Sequence, residues 1–213
     1  MSVRAALGAA LRDLYGQSWR LLTLNAAVGA ALLVVLAAAW VSLAGLVLVA
    51  LVGPLLAALV HCEVALVRTE DLRLACALDG LRRLWRRGLA LGCAGGAVTG
   101  LGVLAIAFYA RGGRNTIPLA FLAGYLLALL CVVQLFAWPL AVAEPERPLR
   151  DVLRTAASAV LHRPGASSGL ALALLLVNLA GIVVAVMPFL TLTIAYTFLA
   201  ATRFVLPREE VTA

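Results

Sequence analysis

Two ionisable side chains, His61 and Glu63, interrupt an otherwise apolar stretch of this chain, and neutral polar groups do the same at Asn25, Gln134 and Asn178. A charged group at the centre of a bilayer costs about 2.5–3.5 kcal/mol on insertion scales, so such positions are the first places to look for chemistry. Glu63 fits two roles: a proton or solute site, or a structural ion pair with Arg68 or Arg73. The pair is the simpler expectation. His61 alone supplies neither a metal cage nor a catalytic pair. Gln134 and Asn178 complete the candidate intramembrane polar site, and as neutral groups they suit hydrogen bonds between helices, worth about 0.6–2 kcal/mol each.

Other chemistry is absent from the sequence. No HExxH, P-loop, GxSxG or paired-carboxylate pattern occurs, so no catalytic residue, cofactor or metal ligand is assigned and a non-enzymatic protein is expected. Cys62, Cys76, Cys93 and Cys131 sit at unrelated spacings with no C-x-x-C, and they read as small apolar fillers.

The elements that must position these groups follow from composition. Hydrophobic residues make up 64% of the chain and charged residues 13%, with a mean hydropathy of +1.07. Soluble domains carry about 25% charged residues, so this chain has too little polar surface to stay dissolved as a globule. Apolar stretches of about 20 residues, the length that spans a bilayer core, alternate with arginine clusters. All the basic residues are arginine, and only Arg111 and Arg114 fall outside those clusters. That is the positive-inside pattern of a polytopic helical membrane protein. The net charge of +7 is then read as contact with anionic headgroups, and nucleic acid is excluded because no recognition motif or aromatic-basic platform appears. Lysine is absent while Ala, Gly and Leu abound, a composition that goes with high-GC bacterial genomes.

The expected architecture is all-α, a single membrane domain with about six transmembrane helices in three hairpins, each preceded by an amphipathic helix on the cytoplasmic side. Residues 1–20 form the first interfacial helix, with Val3, Leu7, Leu11 and Leu14 on its apolar face and Trp19 and Arg20 as anchors. Residues 21–67 form hairpin one, turning near 41–45. Ala37, Ala38 and Ala39 resemble a cleavage site, but the long preceding segment and the second run that follows argue for a retained helix. Gly53-Pro54 is expected to kink the second span.

Residues 68–87 form the second amphipathic helix, with Asp79, Arg82, Arg83 and Arg86 on one face and an Asp79–Arg83 pair. Arg82, Arg83, Arg86 and Arg87 are its lipid- or partner-facing groups. Hairpin two covers residues 88–142. Gly88, Gly92, Gly96 and Gly100 place a smooth stripe along its first span, expected to pack against another helix of the same chain rather than a second copy. Residues 143–165 form the third amphipathic helix, started by Pro148 and ended by Pro164-Gly165. Residues 166–206 form hairpin three, meeting near Met187-Pro188, with Thr191, Thr193, Tyr196 and Thr197 giving its last span a polar face. Residues 207–213 are a polar tail. Segments 72–88 and 149–165 align at one offset, pairing Leu72 with Leu149, Arg73 with Arg150, Leu84 with Leu161, Arg86 with Arg163 and Gly88 with Gly165.

The stretches Gly53-Pro54-Leu55-Leu56-Ala57-Ala58-Leu59, the charged region at Arg68, and Gly80-Leu81-Arg82-Arg83-Leu84-Trp85-Arg86-Arg87-Gly88 resemble the YesL-like bacterial membrane family. The likeness continues through Gln134-Leu135-Phe136-Ala137-Trp138-Pro139-Leu140 and Pro148-Leu149-Arg150 and covers nearly the whole chain. It implies a protein of unknown biochemical activity working beside bacterial carbohydrate uptake and polysaccharide utilisation. The chain departs from the commonest family pattern at His61, Cys62 and Glu63, so no ligand site is carried over. Together these readings give an expectation: a multi-pass protein of the bacterial cytoplasmic membrane with both termini inside. It would be an accessory or regulatory partner of transporter subunits, resting on anionic lipid. The alternatives are a small-solute transporter and a lipid-organising scaffold.

Overall fold

The computed structural model describes residues 3–16, 18–41, 51–69, 75–184 and 193–206. Over those residues the chain is helical and contains no strand. The order is α1 Val3–Gly16, α2 Ser18–Val41, α3 Val52–Thr69, α4 Ala75–Arg111, α5 Ile117–Ala143, α6 Leu149–His162, α7 Pro164–Val184 and α8 Ile194–Val205. Among the described residues α3, α4, α5 and α7 are long and apolar enough to cross a membrane. The turn near 41–45, Arg73, Thr191, Met187-Pro188 and the tail 207–213 lie outside the described residues.

The centre of the fold is α3, which packs most extensively on α4 and also meets α5, α8 and α2. Ala57, Leu59, Val60, Cys62 and Glu63 are all 1% exposed or less. Helix α4 runs antiparallel to α3 at very short range, and glycine makes this possible. A Cβ added at Gly88 would lie 2.8 Å from the Ala57 Cβ and 2.9 Å from the Pro54 Cα, and one at Gly92 would lie 2.7 Å from the Gly53 Cα. Only the lower half of the predicted glycine stripe is used in this way. Around Gly96 and Gly100 a Cβ would meet nothing within 4 Å. The expectation of packing within one chain therefore fits Gly88 and Gly92 and does not extend to Gly96 and Gly100.

Gly53-Pro54 does not kink the middle of a helix. Leu51 is a turn residue and α3 begins at Val52, which puts Pro54 in the first turn, where a missing N–H breaks no helical bond. The segment instead supplies the surface against which Gly88 and Gly92 rest.

The second amphipathic stretch and the third span, divided at 87/88 in the sequence reading, are one unbroken helix. At 37 residues α4 is roughly 55 Å long, well beyond the ~30 Å hydrocarbon core of a bilayer. The repeat explains why the corresponding segments differ. The position of Arg87 is taken in the second copy by Pro164, which lacks an N–H and pushes Arg163 out of helical geometry (φ −134°, ψ 60°). One copy therefore splits into α6 and α7, while the other stays continuous.

Beyond Leu91 the α4–α5 pair presents apolar side chains outward: Leu101, Leu104, Phe108, Phe121 and Tyr125 are each more than 65% exposed. A soluble protein rarely shows so large a contiguous apolar face. Gly113, at φ 94°, reverses the chain between the two helices, and Thr116 Oγ1 donates across the turn to the Tyr109 and Gly113 carbonyls.

The other end is closed by the amphipathic helices. In α6, Val152, Ala156 and Val160 face inward at i, i+4, i+8, with Arg150 and Arg154 outside. In α1 the buried face is Ala6 and Ala10, flanked by Val3, Leu7 and Leu14, whereas Leu11 is 59% exposed. The expected apolar face is corrected at Leu11, because alanines at i and i+4 allow the closer approach to α8. Arg203 of α8 ion-pairs with Asp13 of α1 at 2.6 Å, and the Tyr196 hydroxyl donates to the Leu7 carbonyl at 3.3 Å. Trp19 and Arg20 belong to the first turn of α2, not to α1.

The crossing makes a direct prediction. Gly53→Ala and Gly88→Ala are expected to lower the melting temperature in detergent, each through an overpacking cost of about 1–3 kcal/mol. Gly96→Ala should leave it unchanged. Equal effects at all three positions, read by thermal unfolding, would show that the close approach is not there.

Candidate functional site

The arginines of α4 face a cavity. Arg83, Arg86, Arg87 and Ala90 fall at i, i+3, i+4 and i+7, so one side of the helix carries three guanidiniums over an alanine. With Arg68 from the last turn of α3 and His61 two turns before it on the same face, they line a cavity of about 660 Å³, within the range of ligand sites. Its apolar wall is Val64, Leu84, Ala90, Val142 and Leu149. Among the described lining residues four are arginines and one, Glu146, is a carboxylate. Arg82, on the same turn as Arg83, is exposed and lines no part of the cavity. Of the charged face expected at Asp79, Arg82, Arg83 and Arg86, only Arg83 and Arg86 line the cavity. Asp79 and Arg83 do not form an ion pair among the described residues; those present are Arg147–Glu144 and Arg203–Asp13.

The antiparallel packing of α3, α4 and α5 brings the cavity together. Gln134 of α5 donates its Nε2–H to the Leu91 carbonyl of α4 at 3.0 Å, and a Cβ at Gly95 would sit 2.6 Å from that nitrogen. Below this contact Arg87 binds the loop after α5: its Nη2 donates to the Arg147 carbonyl at 2.5 Å and its Nη1 to the Pro145 carbonyl. Arg147 in turn donates to Glu144 at 3.0 Å and to Thr155 Oγ1 at 2.9 Å, joining loop and α6. Arg87 is accordingly a brace for the cavity wall, whereas Arg68, Arg83 and Arg86 are exposed at its mouth. Arg86 also lies 5.3 Å from the Trp85 ring centroid, a cation–π contact.

The predicted intramembrane site does not assemble. His61 and Glu63, two residues apart, point to nearly opposite sides of α3. His61 packs against Gly80 and lines the cavity, while Glu63 is 0% exposed and neither of its oxygens has a hydrogen-bond partner among the described residues. The expected pair with Arg68 is not formed. Five residues on, Arg68 lies about 140° around the helix and projects to the surface. Asn178 donates to its own helix at Leu174 O and to Thr197 Oγ1 of α8, both at 2.7 Å, and Thr197 donates back to Thr193 O. Gln134 and Asn178 are therefore helix-joining groups, and neither bonds to His61 or Glu63.

The structure adds residues that sequence reasoning missed. Ser167 is fully buried without a hydrogen-bond partner among the described residues, as Glu63 is; Asn25, which the sequence did single out as a group for bonds between helices like Gln134 and Asn178, is likewise buried with no such partner. The Arg203–Asp13 pair joins positions 190 residues apart, and nothing local announces it. Among the described residues no group of His, Cys, Asp or Glu is placed to hold a metal ion.

These contacts separate two kinds of polar residue. Gln134→Leu should lower stability by about 0.6–2 kcal/mol, the range for an interhelical bond in lipid. Glu63→Gln should melt at or above the wild-type temperature, because no described group pairs with the carboxylate. A large loss at Glu63 together with none at Gln134 would reverse both assignments.

No protein-family profile, curated protein or solved structure matches this chain.

Proposed function

We propose that the chain is a non-enzymatic, multi-pass protein of the bacterial cytoplasmic membrane: six spans in three hairpins, both termini inside. It acts as an accessory or regulatory partner of a transport system. The observation that carries this is the separation of the molecule into two ends. Antiparallel packing of α3, α4 and α5 gathers Arg68, Arg83, Arg86, Arg87 and Arg147 at one end, around the cavity, while Arg111 and Arg114 lie at the other. Between them α4 and α5 offer outward apolar faces to hydrocarbon or to a neighbouring helix. Arginine on one side of apolar spans is what fixes orientation in a bilayer.

An accessory role is favoured over solute transport because two neutral polar groups of the spans, Gln134 and Asn178, are used in joining helices. Gln134 holds α5 to α4 and Asn178 holds α7 to α8, which leaves no shared polar site among the four residues first considered. The carbohydrate aspect rests on the resemblance to the YesL-like family alone.

Two measurements test this. In a background lacking the native cysteines, a cysteine at Arg82 should be shielded from an impermeant maleimide applied to whole cells, and one at Asn115 should be labelled. The reverse pattern would invert the topology. Mild solubilisation of native membranes should co-purify a transporter subunit; repeated recovery of the chain without one would remove the accessory role.

A further inference from the structure

We infer that the cavity between α3, α4, α5 and the start of α6 is a binding site for the phosphate headgroup of an anionic phospholipid. The inference rests on the membrane orientation proposed above and gives its basic end a specific ligand. Three features point to it. Arg68 of α3 and Arg83 and Arg86 of α4 line the cavity and are exposed. Guanidinium groups match phosphate oxygens with paired N–H donors, and as weakly hydrated cations they give up water readily. Among the described lining residues four guanidiniums outnumber one carboxylate, Glu146, and give the cavity a potential that attracts an anion.

The wall selects a lipid over a soluble phosphate ester. Val64, Ala90 and Val142 continue from the basic end along the helices toward their apolar halves, and Leu84 lies between Arg83 and Arg86. An amphiphile can therefore place its phosphate among the guanidiniums and its glycerol and first methylenes against aliphatic side chains. At about 660 Å³ the space exceeds a single phosphate and suits a whole headgroup. Basic pockets between membrane helices on the cytoplasmic side are known to hold such headgroups.

Arg82 supplies the internal control. It carries the same charge on the same helix, one position from Arg83, and lies outside the cavity. Delipidated protein in a neutral detergent would be titrated with phosphatidylglycerol, cardiolipin and phosphatidylcholine, with bound lipid counted by native mass spectrometry. Retention of the two anionic lipids over phosphatidylcholine is expected. Binding should weaken at least tenfold in Arg68→Gln/Arg83→Gln and stay within twofold of wild type in Arg82→Gln. Both altered residues are surface-exposed, unlike the bracing Arg87, so a folded variant is expected, to be checked by its melting curve.

Equal weakening by Arg82→Gln would replace the site with diffuse charge attraction. Displacement of the lipid by millimolar glycerol 3-phosphate would assign the cavity to a soluble phosphate ester. Indifference to headgroup charge would overturn it altogether. Failure of the underlying membrane reading is distinct: the chain would then remain in the supernatant after a detergent-free spin.

Discussion

The close passage of α3 over α4 is the contact on which the rest of the molecule depends. Helix axes approach this nearly only where side chains are missing, and Gly53, Gly88 and Gly92 supply the gap together with Ala57. In a bilayer the hydrophobic effect does little to join helices, so dispersion contacts of such smooth faces are a main source of association. The crossing also sets register. With Gly53 opposite Gly88 and Gly92, His61 comes to rest on Gly80, and Arg68 of α3 lines the same cavity as Arg83, Arg86 and Arg87 of α4.

Arginine then performs two tasks that look identical in sequence. Arg87 turns inward to the carbonyls of the α5–α6 loop and holds the cavity wall, much as a cap holds a helix end. Arg68, Arg83 and Arg86 are exposed at the surface. Because guanidinium keeps its charge and offers five donors, it suits both a multi-point brace and an anion contact. Arg203 fills a third position. Only 6% of its side chain is exposed, and it meets Asp13 at 2.6 Å, tying the first helix to the last across the whole chain. Removing one partner of a pair this sheltered costs more than the pair itself contributes, since the other charge is left stranded.

The two halves of α4 and α5 have different surroundings, and the division lies near Leu91 and Gln134. On one side these helices are covered by α3, α6 and α8, where Phe136 stacks on Phe204 at 5.5 Å and Trp138 meets Phe198 edge-on at 6.4 Å. On the other their leucines and phenylalanines face outward. The Gln134–Leu91 bond stands at the boundary and joins the pair just before they leave the cover of the other helices.

Sequence alone determined that the chain is helical with apolar spans, where α5 ends and α6 begins and ends, and that the arginines cluster. Those properties are local: they follow from composition, from 3.6-residue periodicity, and from Pro148 and Pro164 at the breaks. It also flagged Gln134 and Asn178 as helix-joining groups, since a neutral amide in an apolar span has few other uses. The tertiary structure decided which arginines meet, that Glu63 and His61 face apart, that Leu11 is left outside, and that Asp13 finds Arg203. It also decided that α4 is one rod rather than two pieces, because a missing proline permits continuity but only packing along α3 and α5 shows that it is kept. Periodicity tells which residues share a face of one helix; which face meets which is settled by close approach between helices, and that information is spread over residues far apart in the chain.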